Sequence, residues 1–432
     1  MNAELVGILG IIALLVLLAC KMWVGAALTL VGFIGICLVK NVPVALGVLS
    51  SAPFANLNSY TFTVIPLFTL MGMVIAETTM GKDLYSAAYA WLGHFRGGLA
   101  SATVVACGIL GAVCGSANIG VMIMSRIAMP EMKKNGYQET FAAGATAAGA
   151  PLALLIPPSI GFMMYGILTE NSIGTLFMSG IGVGVVQIIL YIILIWLLCK
   201  LNPAKGPKGP KTGWGEKGKT ILKVLPIFIL MVLVLGGIYM GWFTSTEAGA
   251  IGAFGSIVLS IIFRQCKVNN LVKAVKDTAI LCGMIFFIMA ATYIFVQFMS
   301  VSRVPTMLAS FIAGLTVPKW VIAIAMVILY FILGMFLPEV PMVVLTVPVL
   351  YPALTAIGFD PIWLGCFIVK LMALGSISPP VGMTVYTMAG IVKMPVHKIF
   401  KGVLPFIAVD LLVLALMIIF PEIATFIPNH MK

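Results

Sequence analysis

Two Pro-Pro steps stand inside long apolar runs of this 432-residue chain. Pro157-Pro158 lies between Gly149 and Ser159, and Pro379-Pro380 lies between Gly375-Ser376-Ile377-Ser378 and Gly382. A proline ring offers no N–H and pushes its predecessor out of the α region, so a helix must break at each step and release carbonyl oxygens. An unpaired carbonyl in hydrocarbon costs several kcal/mol, so each break has to face protein or a wet cavity. Carbonyl oxygens beside a hydroxyl and flexible glycines suit a hard cation, with Ser159, Ser376 and Ser378 as the nearby hydroxyls. The competing reading is a structural kink, which two breaks in corresponding positions argue against.

Ahead of each break runs an apolar hairpin with a small or polar tip. The first, 98–133, turns at Gly115-Ser116-Ala117-Asn118; the second, 319–357, turns between Gly334 and Pro338-Glu339. Polar tips suggest re-entrant hairpins, although tight Gly-Ser helix packing is the alternative for the first. One cation is expected between Gly115, Ser116, Asn118 and the break from Gly149 through Pro157 to Ser159. Another is expected between Gly334, Glu339 and the break at Gly375, Ser376 and Ser378. Helix C-termini at these sites add partial negative charge, and facing N-termini suit a carboxylate. Ser116, Asn118, Ser159, Lys370, Pro379, Pro380 and Gly382 are candidate pathway residues. Intramembrane charge is rare and informative. Glu339 and Asp410 are acidic; Lys370 is open to pairing with Glu339, to snorkelling or to lining the pathway. Glu247 has the Thr-x-x-Glu spacing of a capping box, with direct ion or substrate contact as the alternative.

The elements that position these residues are membrane helices. The chain is 62% apolar and only 9% charged, which excludes a soluble enzyme, a disordered tail and a nucleic-acid module. At ~20 residues per span, the chain holds enough apolar sequence for about ten crossings besides the hairpins. Crossings are expected at 4–20, 22–39, 61–78, 138–168, 173–199, 221–241, 243–263, 278–300, 361–391 and 402–427. Amphipathic arms at 80–96 and 303–316 should lie along the interface, with Leu84, Ala88, Trp91, Leu92 and Phe95 on the apolar face of the first. The net charge of +12 follows the positive-inside rule. With the basic 201–220 linker cytoplasmic and flexible, 20 of the 25 Lys and Arg fall inside; Lys40, Arg303, Lys319 and Lys432 lie outside and Lys370 within a span. Arg264 belongs to the inside set, and both termini are periplasmic. The eight cysteines, Cys266 among them, form no CxxC pair and read as small helix residues. The start lacks the basic region of a signal peptide.

Five crossings in each half give the halves opposite topology, an inverted repeat. Gly136-Tyr137 precedes Pro157-Pro158 by 21 residues, and Gly358-Phe359 precedes Pro379-Pro380 by 21 as well. The expected architecture is an all-α polytopic membrane protein: a first repeat over 1–200, the basic linker 201–220 and a second repeat over 221–432. Each repeat carries one re-entrant hairpin and one broken helix, at 138–168 and 361–391.

Gly241-Trp-Phe-Thr-Ser-Thr-Glu-Ala-Gly249, Met129-Pro-Glu-Met132, Leu155-Ile-Pro-Pro-Ser159 and Ile377-Ser-Pro-Pro-Val-Gly382 follow one another in a familiar order. The chain resembles the large membrane subunit of TRAP (tripartite ATP-independent periplasmic) transporters, the DctM type, along essentially its whole length. That resemblance implies a secondary transporter rather than an enzyme, in the bacterial inner membrane, with no cofactor and with Na+ as coupling ion. It implies elevator-type uptake of an organic acid, such as a C4-dicarboxylate or a sialic or sugar acid. It also implies two partners: a periplasmic substrate-binding protein and a small membrane subunit of about four spans. That subunit is expected as a separate chain, because no such spans precede the first repeat. A proton-coupled transporter built on Glu339 and Asp410, or an ion-translocating protein without a binding protein, is the alternative.

Overall fold

A computed structural model of the chain describes residues 2–209, 211–263, 267–315 and 317–431, apart from the side chains at 112 and 113. Arg264, Cys266, Lys432 and position 316 lie outside the described residues. The first half runs through α1 (Ala3–Ala19), α2 (Val24–Val39), α3 (Val42–Leu57), α4 (Val64–Ala76) and α5 (Met80–Leu92) to a hairpin, α6 (Gly98–Cys114) and α7 (Ala117–Lys134). An interrupted helix follows as α8 (Glu139–Gly149), α9 (Leu152–Leu155) and α10 (Ile160–Thr169), and the long α11 (Ile173–Leu201) closes the half. The second half contains α12 (Trp214–Tyr239), α13 (Ser245–Ile262), α14 (Val268–Ser302), α15 (Val304–Gly314) and the hairpin α16 (Lys319–Gly334) and α17 (Glu339–Ala356). The second broken helix is α18 (Pro361–Ile377) and α19 (Met383–Val392), followed by α20 (Val396–Ile419) and α21 (Glu422–Asn429).

Both hairpins and both breaks stand where the sequence puts them. The spans are shorter than the apolar runs suggest. Among the described residues, seven helices are long and apolar enough to cross a membrane, or eight if the bent pair Val42–Leu57 and Tyr60–Ala76 is one span. The shortfall from ten has local causes. α1 and α2 have 17 and 16 residues, about 24–26 Å at 1.5 Å per residue, against a hydrocarbon core of ~30 Å. The 61–78 run supplies only the 13-residue α4. α3, hidden from hydropathy reading by Pro43, Ser50, Ser51 and Pro53, meets that segment at a 63° bend.

The packing falls into two groups that meet where α6 lies on α4 and α17 on α14. α14 lies along α2, α3 and α4, while α13 lies along α4 and α12. The hairpins and broken helices pack with one another and with α11 and α20. α8 is buried from Phe141 to Gly149 and α18 from Trp363 to Ile377. A helix covered on every side needs apolar or small residues all round, and the Ala-Ala-Gly-Ala-Thr-Ala-Ala-Gly run of α8 meets that need. Gly144 approaches α20 so closely that an added β-carbon would stand 2.2 Å from the Gly402 carbonyl oxygen. Small residues of this kind let helix backbones approach in a membrane.

Local signals fix several boundaries. Thr244 and Glu247 form both halves of the capping box, with Thr244 N donating to Glu247 Oε2 at 2.8 Å. Glu247 therefore has the capping role. Asp360 caps α18 by accepting from Ile362 N and Trp363 N. In the arm helix α5 Met80, Leu84 and Tyr85 are buried, while Trp91 and, just beyond the helix, Phe95 are exposed. Trp91 instead meets Trp214 edge-on, with Lys217 Nζ about 5 Å from both rings. The linker is docked where its Gly, Pro and Lys content suggests flexibility. Gly97 N donates to Gly206 O, Gly209 N to Gly93 O and Tyr137 OH to Pro207 O.

That docking places residue 208 beside Arg96, and charge bias assigns both to the cytoplasm. Lys208→Cys and His397→Cys variants should react with a membrane-impermeant maleimide only from the cytoplasmic face. Reaction of either from the periplasmic face of intact cells would reverse the assignment.

Candidate functional site

The first tip rests on the first break. Gly115 ends α6 in the left-handed region, at φ 62°, and a β-carbon there would stand 2.9 Å from the Pro158 carbonyl oxygen. Glycine is required on both counts. Its carbonyl accepts from Ile160 N at 3.4 Å across the break. Ser116 begins α7 in an extended conformation without a side-chain capping bond. Pro157 and Pro158 are buried. Ser159 is fully buried, and its Oγ has no hydrogen-bond partner among the described residues. A buried hydroxyl without a protein partner has capacity left for a water or an ion. Gly149 lies apart from this contact. It packs α8 against Cys107 of α6, so its role here is close helix approach.

The second hairpin approaches its broken helix as closely as the first, where a β-carbon added at Gly111 would stand 2.4 Å from the Ala153 α-carbon. A β-carbon added at Gly334 would stand 2.4 Å from the Gly375 α-carbon, so the two backbones touch. Ser376 Oγ donates to Ala373 O at 2.8 Å and Ser378 Oγ to Leu374 O at 2.7 Å. Both hydroxyls spend their proton on their own helix and keep lone pairs free. Pro379 is half-buried and Pro380 exposed, while Gly382 starts α19 at φ 42°. Just beyond it, Thr384 is fully buried with Oγ1 unpartnered among the described residues. The sequence reading passed over Thr384; an orphan hydroxyl one step into α19 is visible only after packing. Glu339 is half-buried at the start of α17 and has no side-chain hydrogen bond or ion pair among the described residues.

The two halves meet at these features. Gly161, just after the first break, packs on Val369 and Met372 of α18. Thr387 of α19 reaches Asn118 at the first tip, Oγ1 to Oδ1 at 3.5 Å. A wet cleft of about 610 Å³ separates α7 from α4 and α14, bordered by Arg126, Asp277 and the Lys273–Glu77 pair at 2.7 Å.

Lys370 does not pair with Glu339. Its Nζ donates to Asp410 Oδ1, with both residues at 2% exposure or less. Gln187 Nε2 donates to Asp410 Oδ1 at 2.8 Å and Tyr191 OH to Oδ2 at 2.9 Å. The carboxylate thus joins α11, α18 and α20. Gln187 and Tyr191, read only as parts of an apolar span, gave no signal without knowledge of their neighbours. Nothing here snorkels: the ammonium is closed in by protein.

Leaving one charge of such a pair alone costs about 3–5 kcal/mol. Asp410→Asn should therefore lower the thermal midpoint of the purified protein by several degrees. Lys370→Met combined with Asp410→Asn should recover most of the loss, as read by intrinsic fluorescence on heating. Equal midpoints for the wild type and the single variant would remove the pair from the stability argument.

The family described as the tripartite ATP-independent periplasmic transporter, DctM component, matches residues 11–423. The ectoine TRAP transporter large permease protein TeaC of Halomonas elongata is 31% identical over 374 residues, 86% of this chain and 87% of that protein. The C4-dicarboxylate TRAP transporter large permease protein DctM of Pseudomonas aeruginosa is 31% identical over 377 residues, 87% of this chain and 88% of that one. The crystal structure of the Alcanivorax borkumensis YdaH transporter is similar in fold, with a TM-score of 0.62 at 16% identity over 89% of this chain and 90% of that one. With a match that spans nearly its full length, and with hairpin tips seated on helix breaks, this chain belongs to the DctM component family of tripartite ATP-independent periplasmic transporters.

Proposed function

We propose that this chain carries an organic acid across the bacterial inner membrane by sodium-coupled secondary transport. The observations that carry the reading are the two tip contacts, Gly115 on Pro158 and Gly334 on Gly375, and the buried hydroxyls that follow the two breaks, Ser159 and Thr384, which have no partner among the described residues. Neutral oxygens at helix breaks offer a cation full coordination without a fixed carboxylate. Sodium bound there orders the tips, and the ordered tips favour substrate by population shift. Helix N-termini at α7, α10, α17 and α19 supply positive potential for a carboxylate. The C4-dicarboxylate relative supports an acid as cargo.

The packing of the hairpins and broken helices chiefly with one another, α11 and α20, touching the α2–α4, α13 and α14 group mainly through α6 and α17, supports an elevator. The hairpins, broken helices, α11 and α20 would move as one body against that scaffold. The matching order of elements in the two halves supports the inverted repeat over 1–200 and 221–432. A tripartite system with a large permease supports two partners, a separate small membrane subunit and a periplasmic binding protein. Proton coupling through Glu339 and Asp410 is the weaker reading, because Asp410 is held by Lys370, Gln187 and Tyr191.

Proteoliposomes containing the chain, the small subunit and ligand-loaded binding protein should show saturable uptake driven by inward sodium. Ser159→Ala and Thr384→Val should each raise the half-maximal sodium concentration by up to about tenfold, the range for one neutral hydrogen-bonding or ligating group. Ser378→Ala should raise it likewise, because that hydroxyl donates to Leu374 O and keeps its lone pairs for a cation. Unchanged uptake when choline replaces sodium would overturn the coupling. Full uptake by this chain alone would overturn the partner requirement.

A further inference from the structure

The seam between α7 and α19 changes character along its length. Near the breaks it holds Asn118 and Thr387, in contact at 3.5 Å. Both helices then run away from the tips in the same direction. Ser125 lies seven positions after Asn118, on the same face of α7 by helical periodicity. Ser125 is 2% exposed, and its Oγ has no partner among the described residues. It lines a cavity of about 630 Å³ between α7, the start of α8 and the turn joining α19 to α20.

The charged groups of that cavity are Arg126, Lys133, Glu139, Lys393 and Lys398. Lys133 and Glu139 satisfy each other at 2.8 Å. Arg126, Lys393 and Lys398 are exposed and form no ion pair or side-chain hydrogen bond among the described residues; with Lys133 they outnumber the one acid, Glu139, which pairs with Lys133 and is also faced by Lys398. Lys393 is also held in the left-handed region, at φ 52°, where a residue other than glycine is uncommon. That conformation turns the chain sharply between α19 and α20 and keeps Lys393 on the cavity wall. Charge bias places this end of the seam on the cytoplasmic side, opposite the side from which cargo would be delivered.

We propose that this basic cavity is a cytoplasmic anion site, separate from the tips, that receives a carboxylate as it leaves them. The identity of the anion as cargo rests on the function proposed above; the site itself rests on the cavity and its three free cations. A carboxylate there would be held by Arg126, Lys393 and Lys398, and it would reach the Ser125 hydroxyl, which lies closed behind the cavity wall, only if that wall gives way. Focused positive potential in a low-dielectric cleft raises local anion concentration and association rates. A dicarboxylate would thus find a second, weaker hold before reaching bulk water, which shortens the time it spends at the tips.

The test uses the full chain in phosphatidylcholine nanodiscs, with Ile391→Cys as a half-buried reporter on the cavity wall. Its labelling by an anionic thiosulfonate should exceed that by the cationic analogue at least about fivefold, after subtraction of the parent chain's background. Millimolar succinate should slow labelling equally in sodium and in choline, because the cavity lies away from the cation sites. Arg126→Gln, Lys393→Asn and Lys398→Gln together should bring the ratio near one and abolish the protection. Asparagine is chosen at 393 because it tolerates the left-handed conformation. Unaltered thermal unfolding of the triple variant would show that the fold is retained. A ratio near one in the parent reporter would overturn the proposal. So would protection that needs sodium, which would trace to the tips, or protection that needs added phosphatidylglycerol, which would assign the cavity to a lipid headgroup. Loss of sodium-driven uptake with the protection intact would instead overturn the function proposed above and leave the anion site standing.

Discussion

A peptide backbone in hydrocarbon must keep its polar groups paired, and this chain interrupts two helices inside the protein all the same. Everything else in the fold is arranged around that constraint. Pro157-Pro158 and Pro379-Pro380 remove donors that a helix would use, so the surrounding structure has to cover the broken ends. It does so with hairpin tips built from residues small enough to touch them. Gly115 against Pro158 and Gly334 against Gly375 are contacts in which a single added carbon would collide with backbone. Close covering excludes lipid, and it leaves a few oxygens, Ser159 Oγ and Thr384 Oγ1 among them, facing one another's surroundings without a partner.

Burial on this scale must be held in register, and the Lys370–Asp410 cluster is placed to do that. α18 carries the second break and is covered almost throughout. A lone ammonium at Lys370 would be prohibitive there, so α18 can occupy its position only with α20 bringing Asp410 to it. Gln187 and Tyr191 add α11 to the same carboxylate. A buried pair of this kind gives little net stability over an apolar substitute, but it penalises every packing in which the partners are apart. The cluster thereby ties α11, α18 and α20 together, while α7 faces α4 and α14 across a cleft.

Much of this was legible in the sequence. Composition settles the membrane, the Pro-Pro steps settle the breaks, and the Gly-Ser and Gly…Pro-Glu turns settle the hairpin tips, because each depends on local backbone chemistry. The Thr244–Glu247 cap was legible for the same reason. Span lengths were less so. Hydropathy averages over windows and passed over α3, whose Pro and Ser residues hide a helix that meets the α4 segment at a sharp bend.

What only the tertiary structure decided are the pairings between distant residues. Periodicity says that Lys370 is in a helix; it does not say whether Glu339 or Asp410 lies beside it, since that depends on how α18 and α20 cross. The same holds for Thr384, an ordinary helix threonine by sequence, which becomes a candidate ligand only because packing buries its hydroxyl and supplies no acceptor. The linker shows the converse. Its glycines, prolines and lysines suggest freedom, yet Gly93, Gly97 and Tyr137 give its backbone partners and fix it. Sequence determines what each residue can offer over one or two helical turns. Which offers are met is a property of the packed chain.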